Sequence, residues 1–457
     1  MPPIYEVKYS NDGAWIACSV VEGLKDQHIM VIRRDDPSDT FSFNLGKDSR
    51  ERAPSWAPDD KRIAFQSDAE GVNKIVIQDF QNGDKITLDL GGDEEVFGSE
   101  PAWKPDGQEV YYTVSKHSRT RVYRHSLDGE IYEPLLLPEG KVDSIKINHD
   151  GEKLVFLHSS MRSPPGIYLH KIKTESVKLL TPSNYSVDPS QLVEPQSIWY
   201  DSFDGRSIHG WYLPSASGPT PSPAIVYPHG GPTGQIFDEW MQGAFFQAYA
   251  HSGYSVLTPN FRGSTGYGVE FRDLNIGDLG GGDLEDVVAG ARWLRDKDEI
   301  DGSRIAIIGA SYGGFMTLMA LSKRSEEFAT GVSMLPVVNW LGMYELSDSS
   351  FRKIMDRLHG GPPEEREEVY RECSPITHIT KIKAPVMLVA GKNDSRCPIE
   401  PIERLVDKLE EMGHSHEFII EEKAGHVTDF VKSDKRILTH SRVVKYLNKI
   451  LNKSNHD

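Results

Sequence analysis

The segment Gly309-Ala310-Ser311-Tyr312-Gly313 places a serine between small residues, with a β-rich run at 304–308 before it and a helix-like run at 315–321 after it. A serine on so sharp a strand-to-helix turn needs small neighbours and leaves its hydroxyl exposed above a sheet. Read alone, the pentapeptide is also compatible with an ordinary glycine-rich turn; the flanking strand and helix favour the reactive reading. A serine hydroxyl is a poor nucleophile at neutral pH, so a base has to take its proton and a third group has to orient that base. In chains of this construction the order is serine, acid, histidine. Asp394 follows a strand at 386–390 in Gly391-Lys392-Asn393-Asp394, and His426 follows a strand at 417–420 in Lys423-Ala424-Gly425-His426. Both stand at strand ends, where open α/β sheets present their functional groups. Asp429 is the competing acid, but three residues from the base it has little room to hold the ring from beneath.

Acyl transfer at such a serine develops negative charge on the former carbonyl oxygen, and each backbone N–H aimed at it is worth about 3 to 4 kcal/mol. The N–H of Tyr312, next to the nucleophile, is one candidate donor. The other comes from His229-Gly230-Gly231-Pro232, directly after a strand at 224–227, because glycines let the backbone come close to a substrate. Gly231 is the preferred donor there, with a purely structural turn as the alternative. Activation of Ser311 is complete without a metal or an organic cofactor, so none is expected.

These groups need a scaffold, and the sequence supplies one after about residue 195. A hairpin around Asp204-Gly205 comes first, then apolar strands at 224–227, 254–257, 304–308, 386–390 and 417–420 alternate with amphipathic helices. That alternation predicts a mostly parallel, doubly wound sheet covered on both faces, an α/β-hydrolase arrangement. The helix before the last strand carries Ile402, Leu405, Val406, Leu409 and Met412 on one stripe, with Gly413 placed to end it.

The first part of the chain has a different grammar. Tyr9-Ser10-Asn11-Asp12-Gly13, Trp56-Ala57-Pro58-Asp59-Asp60, Trp103-Lys104-Pro105-Asp106-Gly107 and Ile147-Asn148-His149-Asp150-Gly151 are copies of one phrase, each leading into an apolar strand. They recur at roughly 45 residues, a period that marks propeller repeats of four strands per blade. A plain β-sandwich is the alternative, and four copies at one spacing argue against it. The repeat stops near Thr181 and a Pro/Ser-containing connector at 181–195 follows. The expected domains are a short or truncated β-propeller at 1–185 and a catalytic α/β domain at 186–457.

With 457 residues and a formal charge of -17, the chain is ill suited to a polyanion, so a nucleic-acid partner is not expected. Cys18, Cys373 and Cys397 are too scattered for a disulfide framework or a metal-ligand spacing, which fits a reducing cytoplasm. No run reaches the ~18 apolar residues of a membrane span, so membrane insertion is not expected either. Assembly into a homo-oligomer stays open.

Together these motifs resemble the prolyl oligopeptidase family of serine peptidases, and within it the acylaminoacyl peptidases. The resemblance rests on 229–232, Pro259-Asn260-Phe261-Arg262-Gly263-Ser264-Thr265-Gly266-Tyr267-Gly268, 309–315, 344–348, Ser374-Pro375-Ile376, 393–396 and 424–426, and spans nearly all of 195–445. It implies a hydrolase domain capped by a propeller, with the active site in a cavity between them that admits short peptides. By position, Ser311, Asp394 and His426 are similar to the family triad, and Gly231 and Tyr312 to its oxyanion donors. Val337, Trp340, Tyr344, Phe351 and Ile354 fall where the apolar S1 wall of acylaminoacyl members would be, or belong to the core. Arg396, two residues after the acid, is placed either to bind a substrate carbonyl or carboxylate or to prop the loop. The sequence departs from the family in one respect. Family propellers have seven blades behind an N-terminal helix, whereas four repeats are visible here, so the propeller is reduced or the start of a longer chain is absent, and a more open cleft is expected.

The function these readings converge on is hydrolysis of short, N-acylated peptides through an acyl-enzyme. Carboxylesterase activity is the rival, since the same machinery cleaves esters more easily than amides. Dipeptidyl peptidase activity would need paired carboxylates to hold a free amine, and Glu94-Glu95, preceded by Asp93, is such a pair by sequence. A docking disc without catalysis would predict a broken triad.

Overall fold

In each of the four repeated phrases the aspartate carboxylate accepts a backbone N–H two residues further on. Asp12 takes that of Ala14 at 2.8 Å, Asp59 that of Lys61 at 2.9 Å, Asp106 that of Gln108 at 2.9 Å and Asp150 that of Glu152 at 2.8 Å. Aspartate is the repeated residue because its short side chain closes this turn on its own backbone. Each turn launches the second strand of an antiparallel meander: Trp15–Glu22, Arg62–Ser67, Glu109–Lys116 and Lys153–Ser160. The computed structural model describes residues 4–22, 26–88, 90, 94–98, 100–129, 131–181, 187–426 and 432–452, and over these the repeats form four sheets in sequence, each with four strands in simple order; the third carries one more, Glu95–Val96, beside Glu109–Lys116.

The sheets are joined face to face as propeller blades. Trp15, Ile29, Val31, Ile63 and Phe65 fill the space between the first and second, Ala64, Ile75, Val110 and Tyr112 that between the second and third, and Tyr111, Val122, Leu154 and Phe156 that between the third and fourth. In the two middle sheets, the strands Arg62–Ser67 and Glu109–Lys116 therefore alternate their apolar side chains between two neighbouring layers. The repeated tryptophan adds a polar clasp: Trp56 Nε1 donates to the carbonyl of Lys8 and Trp103 Nε1 to that of Ser55, each at 3.1 Å and each to a residue 48 positions earlier.

The chain divides into two compact units. The blades belong to the first, Met1–Gln191 with Phe237–Gly243 and Thr265–Phe271, and the second comprises Leu192–Ile236, Ala244–Ser264 and Arg272–Asp457. The second unit is built on an eight-stranded sheet in the spatial order Gln196–Asp201, Ser207–Leu213, Ser255–Asn260, Ser222–Val226, Ile300–Ala310, Thr330–Met334, Val386–Gly391, His416–Glu421. The first two pairings are antiparallel and the rest parallel. The hairpin around Asp204-Gly205 supplies the two antiparallel strands, and Gly205 holds the turn at φ +78°. All five apolar strands read from the sequence are present. Thr330–Met334 is an additional one: it is buried throughout, but five residues that include a glycine and a serine gave neither alternation nor a β-branched run. The striped helix runs over Ile399–Glu411 and buries Ile402, Leu405, Val406 and Leu409.

A buried ion pair ties the sheet to its helical cover. Arg262 Nε and Nη2 meet the two carboxylate oxygens of Asp286 at 2.9 and 2.8 Å, and the Arg262 N–H adds a third bond at 2.8 Å. Asp286 lies on the helix Gly282–Arg295 and is also reached by the hydroxyl of Ser202 at 2.5 Å. Among the described residues no helix is long and apolar enough to cross a membrane.

Candidate active site

Ser311 sits between the central strand Ile300–Ala310 and the helix Tyr312–Lys323, with φ +57° and ψ -119°. A non-glycine residue at positive φ is strained, and this one is held there from several sides. Its N–H donates to the carbonyl of Met334 on the adjacent strand at 2.9 Å, and its carbonyl accepts from Phe315 at 2.9 Å. The flanking glycines are required by contact: a Cβ on Gly309 would run into the carbonyl of Gly313, and one on Gly313 into the carbonyl of Pro228.

The hydroxyl of Ser311 donates to His426 Nε2 at 2.9 Å, and His426 Nδ1 donates to Asp394 Oδ2 at 2.8 Å. Asp394 Oδ1 in turn accepts the N–H groups of Arg396 and Cys397, both at 2.8 Å. With one oxygen on its own loop and the other on the imidazole, this buried carboxylate fixes which ring nitrogen carries the proton. Nε2 is thereby left as an acceptor facing the serine. Asp429, the competing acid, lies outside the described residues.

The loop after Ser222–Val226 closes over the serine. A Cβ on Gly230 would lie 3.6 Å from Ser311 Cβ and 3.3 Å from the carbonyl of Ala310, so the glycine lets the loop come this close to the serine without crowding the strand end. His229 anchors the loop: its ring stacks on Phe261 with centroids 4.2 Å apart, Nδ1 donates to the Gly230 carbonyl at 2.8 Å, and Nε2 pairs with the Ser264 hydroxyl at 2.7 Å. Burial pushes the His229 pKa down to about 4, so the ring is neutral at pH 7. The N–H of Tyr312 is the first of its helix and has no carbonyl one turn back to bond. The Tyr312 side chain is buried, and its hydroxyl donates to the carboxylate of Asp283.

Ser311, Tyr312, Gly231 and His426 open on a pocket of about 300 Å³, whose far walls are Val337, Trp340, Met343, Phe351, Ile354 and Leu358. Of the wall residues expected from the sequence, Tyr344 is not among those lining it. Trp340 and Met343, three apart on the helix Trp340–Leu346, share the pocket side, while the Tyr344 ring lies edge-on to Tyr370 with centroids 5.9 Å apart. Met343 and Leu358 carry the signal of ordinary core residues and were not singled out. Ser374, part of the quoted Ser-Pro-Ile motif, accepts the Trp340 N–H at 2.9 Å and so sets where that ring enters the wall.

Arg396 lines the pocket mouth with its guanidinium over the Phe351 ring, 4.7 Å from the centroid, and 3.8 Å from Asp348. Its side chain is half exposed, so this ion pair holds it only loosely. Cys397 also lines the pocket; burial, then the neighbouring Asp394 carboxylate, push its thiol pKa well above the usual range. Glu94 and Glu95, the pair considered for binding a free amine, are otherwise engaged: Glu94 accepts from the Tyr123 hydroxyl at 3.0 Å and Glu95 from the Gly268 N–H at 3.2 Å. Asp93 lies outside the described residues.

A strained serine elbow at the end of a parallel strand, in an α/β hydrolase that also carries propeller blades, defines the class. Residues 240–454 match the prolyl oligopeptidase family and residues 8–209 the TolB β-propeller domain. The second half of the chain thus carries a prolyl oligopeptidase family domain. It is similar to the uncharacterized peptidase YuxL of Bacillus subtilis (strain 168), with 29% identity over 342 residues, 74% of this chain and 51% of that protein. It is also similar to the acylamino-acid-releasing enzyme of Mus musculus, with 26% identity over 361 residues, 76% of this chain and 43% of that protein. The chain thus spans about half the length of the curated relatives it matches. Its fold is that of a puromycin hydrolase crystal structure, with a TM-score of 0.90 and 22% identity over 99% of this chain and 70% of the other.

Proposed function

We propose that the chain is the catalytic part of a serine peptidase that cleaves peptide bonds in short peptides and releases N-acylated residues. The observation that supports this most is the continuous hydrogen-bonded path from Asp394 through His426 to Ser311, opening on an apolar pocket. His426 Nε2 takes the hydroxyl proton as Ser311 Oγ attacks the scissile carbonyl, and Asp394 stabilises the imidazolium that forms. The N–H groups of Tyr312 and Gly231 receive the oxyanion. His426 returns the proton to the leaving amine, and a water molecule then releases the acyl group by the same steps in reverse. The residue before the cleaved bond enters between Trp340, Met343, Phe351 and Ile354, a lining that favours an apolar side chain. Arg396, at the mouth, is the donor for a substrate carbonyl or carboxylate.

Residues 1–185 serve as the propeller domain and 186–457 as the catalytic domain in this reading, and the cytoplasm is the compartment. The name of the mouse relative supports release of acylated residues, and the engagement of Glu94 and Glu95 weighs against capture of a free N-terminal amine. Two measurements test the proposal together. Acetyl-amino-acid anilides should be turned over, and Ser311→Ala should keep the fold while losing covalent labelling by a fluorophosphonate. Cleavage of short nitrophenyl esters alone would replace the peptidase reading with a carboxylesterase one, because an apolar pocket separates the two substrates only weakly.

A further inference from the structure

Cys397 takes no part in the chemistry above, yet its Sγ, a ring nitrogen of His426 and a carboxylate oxygen of Asp394 all lie within 4.8 Å of one another. This is the one group of three or more such ligand types so disposed among the described residues. We propose that Cys397, His426 and Asp394 form an inhibitory site for a thiophilic divalent cation such as Zn²⁺, entering through the substrate pocket. The inference rests on the catalytic reading of His426 and Asp394 and adds a way of switching that site off.

Three features carry it. One thiolate, one imidazole and one carboxylate make a donor set suited to zinc, and three protein ligands with an open fourth position are a common zinc arrangement. Donors at zinc-bond length from a tetrahedral ion stand about 3.5 Å apart, so separations that all lie within 4.8 Å have to close by no more than about 1.3 Å. Two of the ligands are already set on one turn, because the Cys397 N–H donates to Asp394 Oδ1 at 2.8 Å. The ion also has a path, since Cys397 and His426 both line the pocket that holds Ser311.

The consequence for catalysis follows from the protons. The ion binds Nδ1 where a proton now bridges to Asp394, and that ring proton moves to Nε2. The thiol proton leaves to solvent as the Zn–S bond forms. Nε2 then carries hydrogen, can only donate, and no longer accepts the Ser311 proton. Zinc and substrate also compete for the same entrance.

The test uses Zn²⁺ for inhibition and Co²⁺ as a spectroscopic stand-in. Zn²⁺ should inhibit anilide hydrolysis reversibly, with recovery on adding a chelator. In Cys397→Val, and again in Cys397→Ser, half-inhibition should need more than about tenfold more Zn²⁺, each variant being compared with its own zinc-free rate; even outer partners of metal ligands are worth 10- to 100-fold in affinity. Co²⁺ should give a thiolate-to-cobalt absorption band in the wild type and in Ser311→Ala, and none in Cys397→Val. Equal zinc sensitivity in the Cys397 variants, or a thiolate band that persists in Cys397→Val, overturns the site. The band in Ser311→Ala needs no activity, so loss of the catalytic reading and loss of the metal site are separately visible.

Discussion

The hydroxyl of Tyr312 donates to the carboxylate of Asp283, a residue on the first turn of the helix Gly282–Arg295. Asp283 is held in turn by the N–H groups of Gly280 and Leu284, both at 2.8 Å on Oδ1. In the proposed mechanism the same tyrosine offers its own N–H to the reacting carbonyl, so a side chain buried away from the pocket would set the position of a backbone donor. Removing one donor of this kind costs about 10² to 10³ in kcat; displacing it costs less. Tyr312→Phe is therefore expected to lower kcat by about tenfold and to leave KM within about twofold, as steady-state kinetics on an anilide would show. An equal loss in KM would mean that the hydroxyl shapes binding and not the donor.

Asp283 also gives the fold a pH dependence. Burial pushes its carboxyl up to about 7, with Asp286 and Asp278 adding to the shift and the Tyr312 hydrogen bond opposing it. The folded protein thus keeps a proton that the unfolded chain sheds near pH 4, so it binds more protons than the unfolded state across this window. Stability should fall as pH rises from about 4 to about 7, by a few kcal/mol at most, and then level off. Asp283→Asn should flatten that part of the profile, measured as denaturation midpoints at pH 5 and pH 7.5.

Replacing Asp394 by asparagine keeps the size of the side chain but lets the imidazole adopt the wrong tautomer. A loss of about 10⁴ in kcat is expected, with substrate binding little affected. Fluorophosphonate labelling should slow in parallel. A much smaller loss would point to another carboxylate as the partner of His426.

Arg262 and Asp286 make three hydrogen bonds inside the second unit, with side chains 8% and 0% exposed. Truncating one partner leaves the other charge buried and unpaired, which costs about 3 to 5 kcal/mol. Asp286→Ala should accordingly lower the denaturation midpoint far more than Asp204→Ala, whose carboxylate reaches the same arginine from a third-exposed position.

Much of this was readable from residue type and order. The repeated aspartates foretold the blades because each closes a local turn, and the chain order of Ser311, Asp394 and His426 needed only strand ends to make sense. The pocket was harder. Tyr344 fell where the wall was expected and packs on Tyr370, whereas its neighbour Met343 lines the cavity; one step along a helix decides between them, and composition carries no such phase. Cys397 was read only as one of three scattered cysteines, since its nearness to His426 comes from two loops converging and not from any spacing in the chain. The strand Thr330–Met334 stayed hidden because its burial comes from its neighbours on both sides.

The clasps of Trp56 and Trp103 reach back across the same sequence offset, and this makes the blade a unit of exchange. Adding or deleting one whole period hands each indole an equivalent carbonyl in the next layer and leaves the local bonding unaltered. A cut within a period strands a buried N–H and misaligns every layer after it. An insertion or deletion of one whole period in this half of the molecule should therefore be borne better than one of any other length.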